Sequence, residues 1–530
     1  MQAELAIVNG TVYTMEPGQP TVGAVAIGGG RILALGEDEA VRPYVGPGTE
    51  ILDLRGRVAI PGLIDAHIHF AAYGLSLQRV DLAGARSPDE VVERVRTRAA
   101  ATPLGEWVLG RGWDRNLWSP PDFPRRQVLD AATSAHPVAL GSKDGHALWV
   151  NSLGLQRLGI AGGVDSWGAQ VVRDVETGEA TGVLLEEAAG AVWERIDAPS
   201  RPALRQAILV AAADALRLGL TGVHDCEGGD ELAAFAELWR EQALPLRVYM
   251  LIPRRSLEAA VSVGLQTGFG DEWLRVGHLK LFADGALGSR TADMLQPYRG
   301  EPGNRGIEVL DTALLRDFVE RASRARIAVA THAIGDRANR RVLDVYGETR
   351  PAWSSASLRP RIEHAQLLAK SDLHRLAQIG VIASMQPIHA TSDWEMAEAQ
   401  WGARCEGAYA WRTLLDSGAV LAFGSDCPVE TLDPLAGIHA AVTRQRADGT
   451  PKDGWHAEQR LTAYEAVRAY TWGAAYAAGE ERQKGTLAPG KVGDLVVLSD
   501  DIFRIPPRQL LQVRVLATIC GGKLAYSDGM

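Results

Sequence analysis

The sequence predicts an α/β fold, a (β/α)8 barrel of the TIM type with a small β-sandwich-like domain formed by both termini and a large insertion after the first barrel strand. Three observations carry this expectation. Eight short apolar runs, many rich in β-branched residues, alternate with helical stretches, as buried parallel strands and their crossovers do. The two ends of the chain share a different pattern of short strands and Gly-marked turns. The chain's 530 residues also exceed the roughly 250–300 at which one hydrophobic core stops growing, so an undecorated barrel does not account for the length.

In chain order, the first stretch reads as Leu5–Val8, a turn at Asn9-Gly10, Thr11–Met15, Ala24–Ile27, a turn at Gly28-Gly29-Gly30, and Arg31–Leu35. The pattern returns at Asp494–Leu498, after Pro489-Gly490, and at Arg514–Cys520, before Gly521-Gly522. Residues 1–59 and 480–530 are therefore expected to form one composite β-domain and residues 60–479 the barrel. Barrel strands are expected at Leu63–His69, Thr221–Cys226, Leu246–Leu251, Gly277–Ala283, Ile327–His332, Arg361–His364, Val381–Met385 and Val420–Ser425. Helices carry their own punctuation: Ser200 with Pro202 opens one, and Thr462 with Glu465 forms a capping box ahead of Ala466–Ala478. The interval 71–199 is too long for one βα connection. It holds six tryptophans, at 107, 113, 118, 149, 167 and 193, and lacks a Pro- or Ser-rich linker, so it is expected to pack at the barrel mouth.

Composition narrows the function. With 46% hydrophobic and 23% charged residues the chain is not a disordered one. A net charge of 55 − 65 = −10, with no basic run, argues against nucleic acid as a partner. No basic stretch followed by an apolar core begins at Met1, so no secretory leader is expected. Apolar stretches such as Ala207–Leu220 are broken by Asp214 and Arg217, so no membrane span is expected either. The four cysteines lie far apart without a Cys-x-x-Cys pair, and the expected compartment is a reducing cytoplasm.

His67 and His69 stand two apart at the end of an apolar strand, and strand alternation sends both imidazoles to one face. In a barrel that face is the interior and that end is the mouth where reacting groups collect. Lys280, His332, His364 and Asp426 end other expected strands and face the same mouth. Four imidazoles, a carboxylate and a lysine make a ligand set for borderline divalent metals.

At these residues the sequence resembles the amidohydrolase superfamily, and the runs Lys280–Ala292 and His332–Ala338 resemble its amidohydrolase-3 branch, which includes the N-substituted formamide deformylases. The likeness runs end to end, through Pro61-Gly62, Asp144-Gly145-His146, Gln386-Pro387 and Gly485–Asp494. It implies two divalent ions, zinc by ligand type, with His67, His69 and Asp426 on one and His332 and His364 on the other. It also implies Lys280 as the bridge between them. A free ammonium has only donors, so Lys280 would bridge as the carbamate it forms with carbon dioxide; the plainer alternative is that it pairs with Asp284. A one-metal site like that of the adenosine-deaminase branch is disfavoured, because Asp336 and Arg337, not a glutamate, follow His332.

The activity so implied is hydrolysis of a non-peptide C–N bond by metal-activated hydroxide, with Asp426 as base and then acid. The expected substrate is a small N-formyl or N-acyl amide with an apolar or aromatic substituent, a reading prompted by the Trp-rich insertion. Trp113, Asp114, His146 and His389 are its candidate contacts, with packing roles as the alternative. His224, Asp225 and His278 are candidate supports for the ligands. An esterase, lactonase or phosphotriesterase on the same site, and a non-catalytic binding or regulatory protein, remain as alternatives. Both a monomer and a homodimer stay open.

Overall fold

The computed structural model describes residues 2–142, 147–160, 171–185, 188–189, 192–193, 196, 199–288 and 290–529. The chain divides into two compact units, Met1–Tyr73 with Ile208–Met530, and Gly74–Ala207.

The first unit contains the expected barrel. Its strands are Leu63–Ile68, Leu220–Asp225, Arg247–Pro253, Leu274–Phe282, Val329–Ala333, Arg361–His364, Ile382–Met385 and Leu421–Phe423, all parallel and adjacent in chain order. The first strand shows the alternation that the sequence implies. Ile64 and Ala66 pack outward against Ala474, Ala475 and Ala477, while Asp65 and His67, also buried, alternate with them. The barrel closes where the ends of the first and last strands meet: Asp426 donates its N–H to the His67 carbonyl at 2.8 Å, and His69 donates to the Cys427 carbonyl at 2.9 Å. The last strand is shorter than expected, and Gly424 explains why. A Cβ there would lie 2.5 Å from the His67 nitrogen and 2.6 Å from Asp65 Oδ1, so the chain must turn at this residue without a side chain.

Thr462 and Glu465 form the reciprocal capping box, but the helix behind it is not continuous. Ala463–Arg468 passes into a π-helical turn at Ala469–Gly473 before Ala474–Ala477. A Cβ on Gly473 would lie 2.1 Å from the Leu421 carbonyl oxygen, so the widened turn falls where the helix meets the last barrel strand.

Both termini build two further sheets. One contains Leu5–Val8, Ala24–Gly28, Arg31–Gly36 and Glu50–Asp53; the other combines Thr11–Tyr13, Thr21–Val22 and Val58–Pro61 with Leu495–Leu498, Val515–Cys520 and Lys523–Ser527. Ile7, Val25 and Ile27 of the first share a core with Val12, Val497 and Ile519 of the second. Val58–Pro61 runs through Gly62 into the first barrel strand. Arg247, on the third barrel strand, grips Asp494 beside the terminal sheet with two bonds of 2.7 and 3.1 Å, and both side chains are buried.

The second unit is built on a six-stranded mixed sheet, from Val80–Asp81 at one edge to Val171–Arg173 at the other. Its interior is aromatic. Trp113 stacks on Trp118 at a centroid distance of 5.8 Å and meets Trp149 edge-on at 6.2 Å. Among the described residues no helix is long and apolar enough to cross a membrane.

The Arg247–Asp494 pair generates a prediction. Asp494→Ala leaves a buried guanidinium with only Glu272, 3.9 Å away, as counter-charge, which costs up to about 3–5 kcal/mol. The thermal unfolding midpoint measured by calorimetry should fall clearly, and an unchanged midpoint would show that the pair contributes nothing.

Candidate metal centre

The mouth of the barrel encloses a cavity of about 410 Å³, lined by His67, His69, Lys280, His332, His364 and Asp426 among others. All six residues that the sequence singled out as ligands therefore face one space. Asp426 Oδ1 lies 3.5 Å from both His67 Nε2 and His69 Nε2, and the Lys280 ammonium nitrogen is 3.4 Å from His67 Nε2. Asp284, the alternative partner for Lys280, spends its oxygens on the backbone N–H groups of Asp293, Ile334 and Gly335.

Local backbone geometry aims these groups. His364 and Asp426 have φ of 72° and 58°, a left-handed conformation that residues other than glycine adopt only when their surroundings enforce it. At Asp426 the enforcement is visible. Buried Asp65 accepts the N–H groups of His67 and Ser425 on one oxygen, both at 3.0 Å, and so ties the first strand to the last. Burial pushes Asp65 up to about 7 despite those bonds.

Electrostatics prepare the donors. Burial, and then the Lys280 ammonium, hold His67 down at about 4 and His332 at about 3, and burial with His332 beside it holds His364 well below the usual range. These imidazoles are neutral at physiological pH, as ligands must be. Burial alone would raise Asp426, but hydrogen bonds from His389 and His69 and the nearby imidazoles hold it well below the ordinary carboxylate range.

Among the described residues, two groups of donor atoms lie close enough together to share an ion, each group within 4.8 Å: His67, His69 and Asp426, and His364, His389 and Asp426. The first is the expected triad. The second contains His389 in place of His332. His332 Nε2 donates to the Gly285 carbonyl at 2.9 Å, which turns that nitrogen from the centre, although its ring stays 4.6 Å from that of His364. His389, expected only as a substrate contact, places Nε2 3.2 Å from Asp426 Oδ2. The donor chemistry fits a borderline divalent cation: imidazoles and an ionised carboxylate, converging from several barrel strand ends and from the helix Pro387–Trp401.

Sequence reasoning expected His224 as a support but missed Glu363, Arg361 and Gln386, which lie beneath the ligand candidates. His67 Nδ1 donates to Glu363 Oε2 at 2.5 Å, which leaves Nε2 free to face the cavity. Glu363 is paired in turn with Arg361, fully enclosed, whose other end donates to His224 Nδ1 at 2.9 Å. Gln386 Oε1 lies 2.8 Å from His364 Nδ1. Glu363 stands directly before His364 in the sequence, but nothing there shows that it reaches across to the first strand. Of the expected supports, Asp225 accepts the Phe70 N–H at 2.8 Å, while His278 bonds Tyr249 and the Arg359 carbonyl, away from the six ligand candidates.

Trp113 and Asp114 belong to the second unit. There Trp113 is 2% exposed, donates its indole N–H to the Leu140 carbonyl at 2.8 Å and fills the core, because a ring so enclosed satisfies that unit's own interior; Asp114 is half-buried on the turn that follows. His146 and the motif around it lie outside the described residues.

Glu363→Gln keeps the volume and removes the charge that orients His67. Divalent-ion affinity should fall by about 10–100-fold with the circular dichroism spectrum unchanged. Equal affinity for zinc in equilibrium dialysis would remove Glu363 from this role.

Comparison with known proteins covers nearly the whole chain. Residues 50–526 match the model of a family described as the amidohydrolase family. The chain is 33% identical to Protein LONG AFTER FAR-RED 3 of Arabidopsis thaliana, over 99% of this chain and 92% of that protein. It is 30% identical to the N-substituted formamide deformylase of Arthrobacter pascens, over 99% and 98%. The crystal structure of an uncharacterized metal-dependent hydrolase from Pyrococcus horikoshii superposes with a TM-score of 0.79 at 29% identity, covering 95% of this chain and 99% of that one. With a barrel mouth furnished by five histidines, a lysine and carboxylates that include Asp426, and a family match across its length, the chain belongs to the amidohydrolase family of enzymes.

Proposed function

We propose that this enzyme is a metal-dependent hydrolase that cleaves the C–N bond of a small N-formyl or N-acyl amide. The observation that carries the reading is the convergence of His67, His69 and Asp426 on one point, with Lys280 3.4 Å from His67, inside a cavity that also has apolar walls. The likeness to an N-substituted formamide deformylase supports the bond type. His67, His69 and Asp426 would hold one divalent ion and His332 and His364, with His389 close by, a second; Lys280 would bridge them as its carbamate. Zinc suits these ligands. Such ions supply acidification of a water and polarisation of the scissile carbonyl.

The chain's own groups do the rest. Asp426, ionised and buried, accepts the proton of the attacking water at a carboxylate oxygen, and His389 holds the opposite oxygen in place. As the C–O bond forms and the C–N bond breaks, Asp426 returns that proton to the departing nitrogen, so the products are a carboxylic acid and an amine. Phe282, Leu287, Ile334, Met396 and Val429 provide apolar wall for the substituent, in place of the tryptophans to which the sequence reading assigned that task.

Purified, fully active protein should contain about two zinc ions per chain by elemental analysis. One ion would overturn the binuclear reading, and none would overturn metal dependence. Lys280→Ala should lose activity that short carboxylates partly restore; full activity without them removes Lys280 from the site. Asp426→Asn should lower turnover at least about a hundredfold with the fold intact. Rates with metal-loaded protein should favour an N-arylalkyl formamide over a cyclic imide, an aryl ester and a dipeptide. A large lead for the ester or the dipeptide in kcat/KM would overturn the C–N preference.

A further inference from the structure

The cavity holds two carboxylates that the reaction does not use. Asp393 and Glu430 both line it, each four residues beyond a group already described: Asp393 follows His389 by one helical turn, and Glu430 follows Asp426. The Tyr409 hydroxyl donates to Asp393 Oδ2 at 2.8 Å, which fixes the carboxylate, and Oδ1 has no partner among the described residues. Glu430 Oε1 approaches His389 Nδ1 only to 3.9 Å, beyond hydrogen-bond reach.

Neither carboxylate is paired with a lysine or arginine among the described residues. Among the described residues, Lys280 is the only such side chain lining the cavity, and it lies against His67. Beside these two anions stand Met396 and Val429. Apolar surface next to two partly desolvated carboxylates, whose cation-capable neighbour is the imidazole of His389 and not a lysine or arginine, is an arrangement that receives an organic cation: the hydrocarbon covers the wall and the charge meets its complement where water screens it little.

We propose that Asp393 and Glu430 select for a cationic substituent, so that the preferred substrates are amides whose apolar group ends in an ammonium or amidinium. This rests on the amide-hydrolase reading above. Recognition is by charge and position, and it operates on substrate binding.

The test compares two N-arylalkyl formamides of like size with metal-loaded protein, one carrying a para-aminomethyl group and the other a para-ethyl group. The wild type should favour the cationic formamide by at least about tenfold in kcat/KM, mainly through KM. Asp393→Asn and Glu430→Gln, which keep shape and the Tyr409 bond acceptor, should each shrink that ratio, and the double variant should bring it close to one. A wild-type ratio near one, or a ratio that survives in the double variant, overturns the proposal. If the carboxylates serve only to tune His389, both substrates lose kcat together and the ratio stays fixed, which overturns it as well. Calorimetric binding of the two corresponding amine products gives a readout independent of turnover. If neither formamide is hydrolysed but the wild type binds the aminomethyl amine more tightly and the double variant does not, the selection stands and the amide reading falls. Equal binding of the two amines overturns the selection.

Discussion

Closure of the barrel between its first and last strands is the constraint on which the site depends. A parallel sheet of eight strands leaves two edges unless those strands meet, and here the meeting is made at the carboxyl ends by backbone bonds from Asp426 and His69 and by the buried carboxylate of Asp65. The same few ångströms hold His67, His69 and Asp426. The seam therefore stabilises the fold and sets the ligand geometry at once, and the absence of a side chain at Gly424 lets the two chains come close enough to do both. The left-handed conformation of Asp426 is sustained because its N–H is engaged across the seam.

Below the seam lies a column of buried polar groups that a barrel core ordinarily lacks. His67, Glu363, Arg361 and His224 form a chain of contacts in which charges alternate and the terminal members are imidazoles. Isolated charges would be costly there, but an ionised pair between two neutral rings is compensated within the column. Glu363 stays well below the ordinary carboxylate range although burial opposes this, because Arg361 and then His67 act on it. The result is a His67 ring whose tautomer and orientation are fixed, with Nε2 facing the cavity.

The aromatic side chains of the second unit and the apolar side chains around the cavity do different work. Trp113, Trp118 and Trp149 consolidate a separate core, whereas Phe282, Leu287, Met396 and Val429 come from a strand end, from loops and from the helix Pro387–Trp401, which also carry the polar residues. One small space thus combines donors for ions, apolar wall and two further carboxylates.

By itself the sequence determined the eight barrel strands and the residues at their ends, because period and β-branched composition mark buried parallel strands and His67, His69, Lys280, His332, His364 and Asp426 interrupt apolar runs where a strand must stop. It determined the capping box at Thr462 for the same local reason. Only the tertiary structure decided which groups touch. Glu363 reaches a histidine 296 positions away, Asp65 binds the Ser425 N–H from 360 away, and His389 comes close to both His364 and Asp426. Such pairings depend on how the barrel closes and which way each ring turns, quantities that no local pattern contains. Burial likewise decided that Trp113 is core, since an aromatic residue reads the same in sequence whether it lines a pocket or fills one.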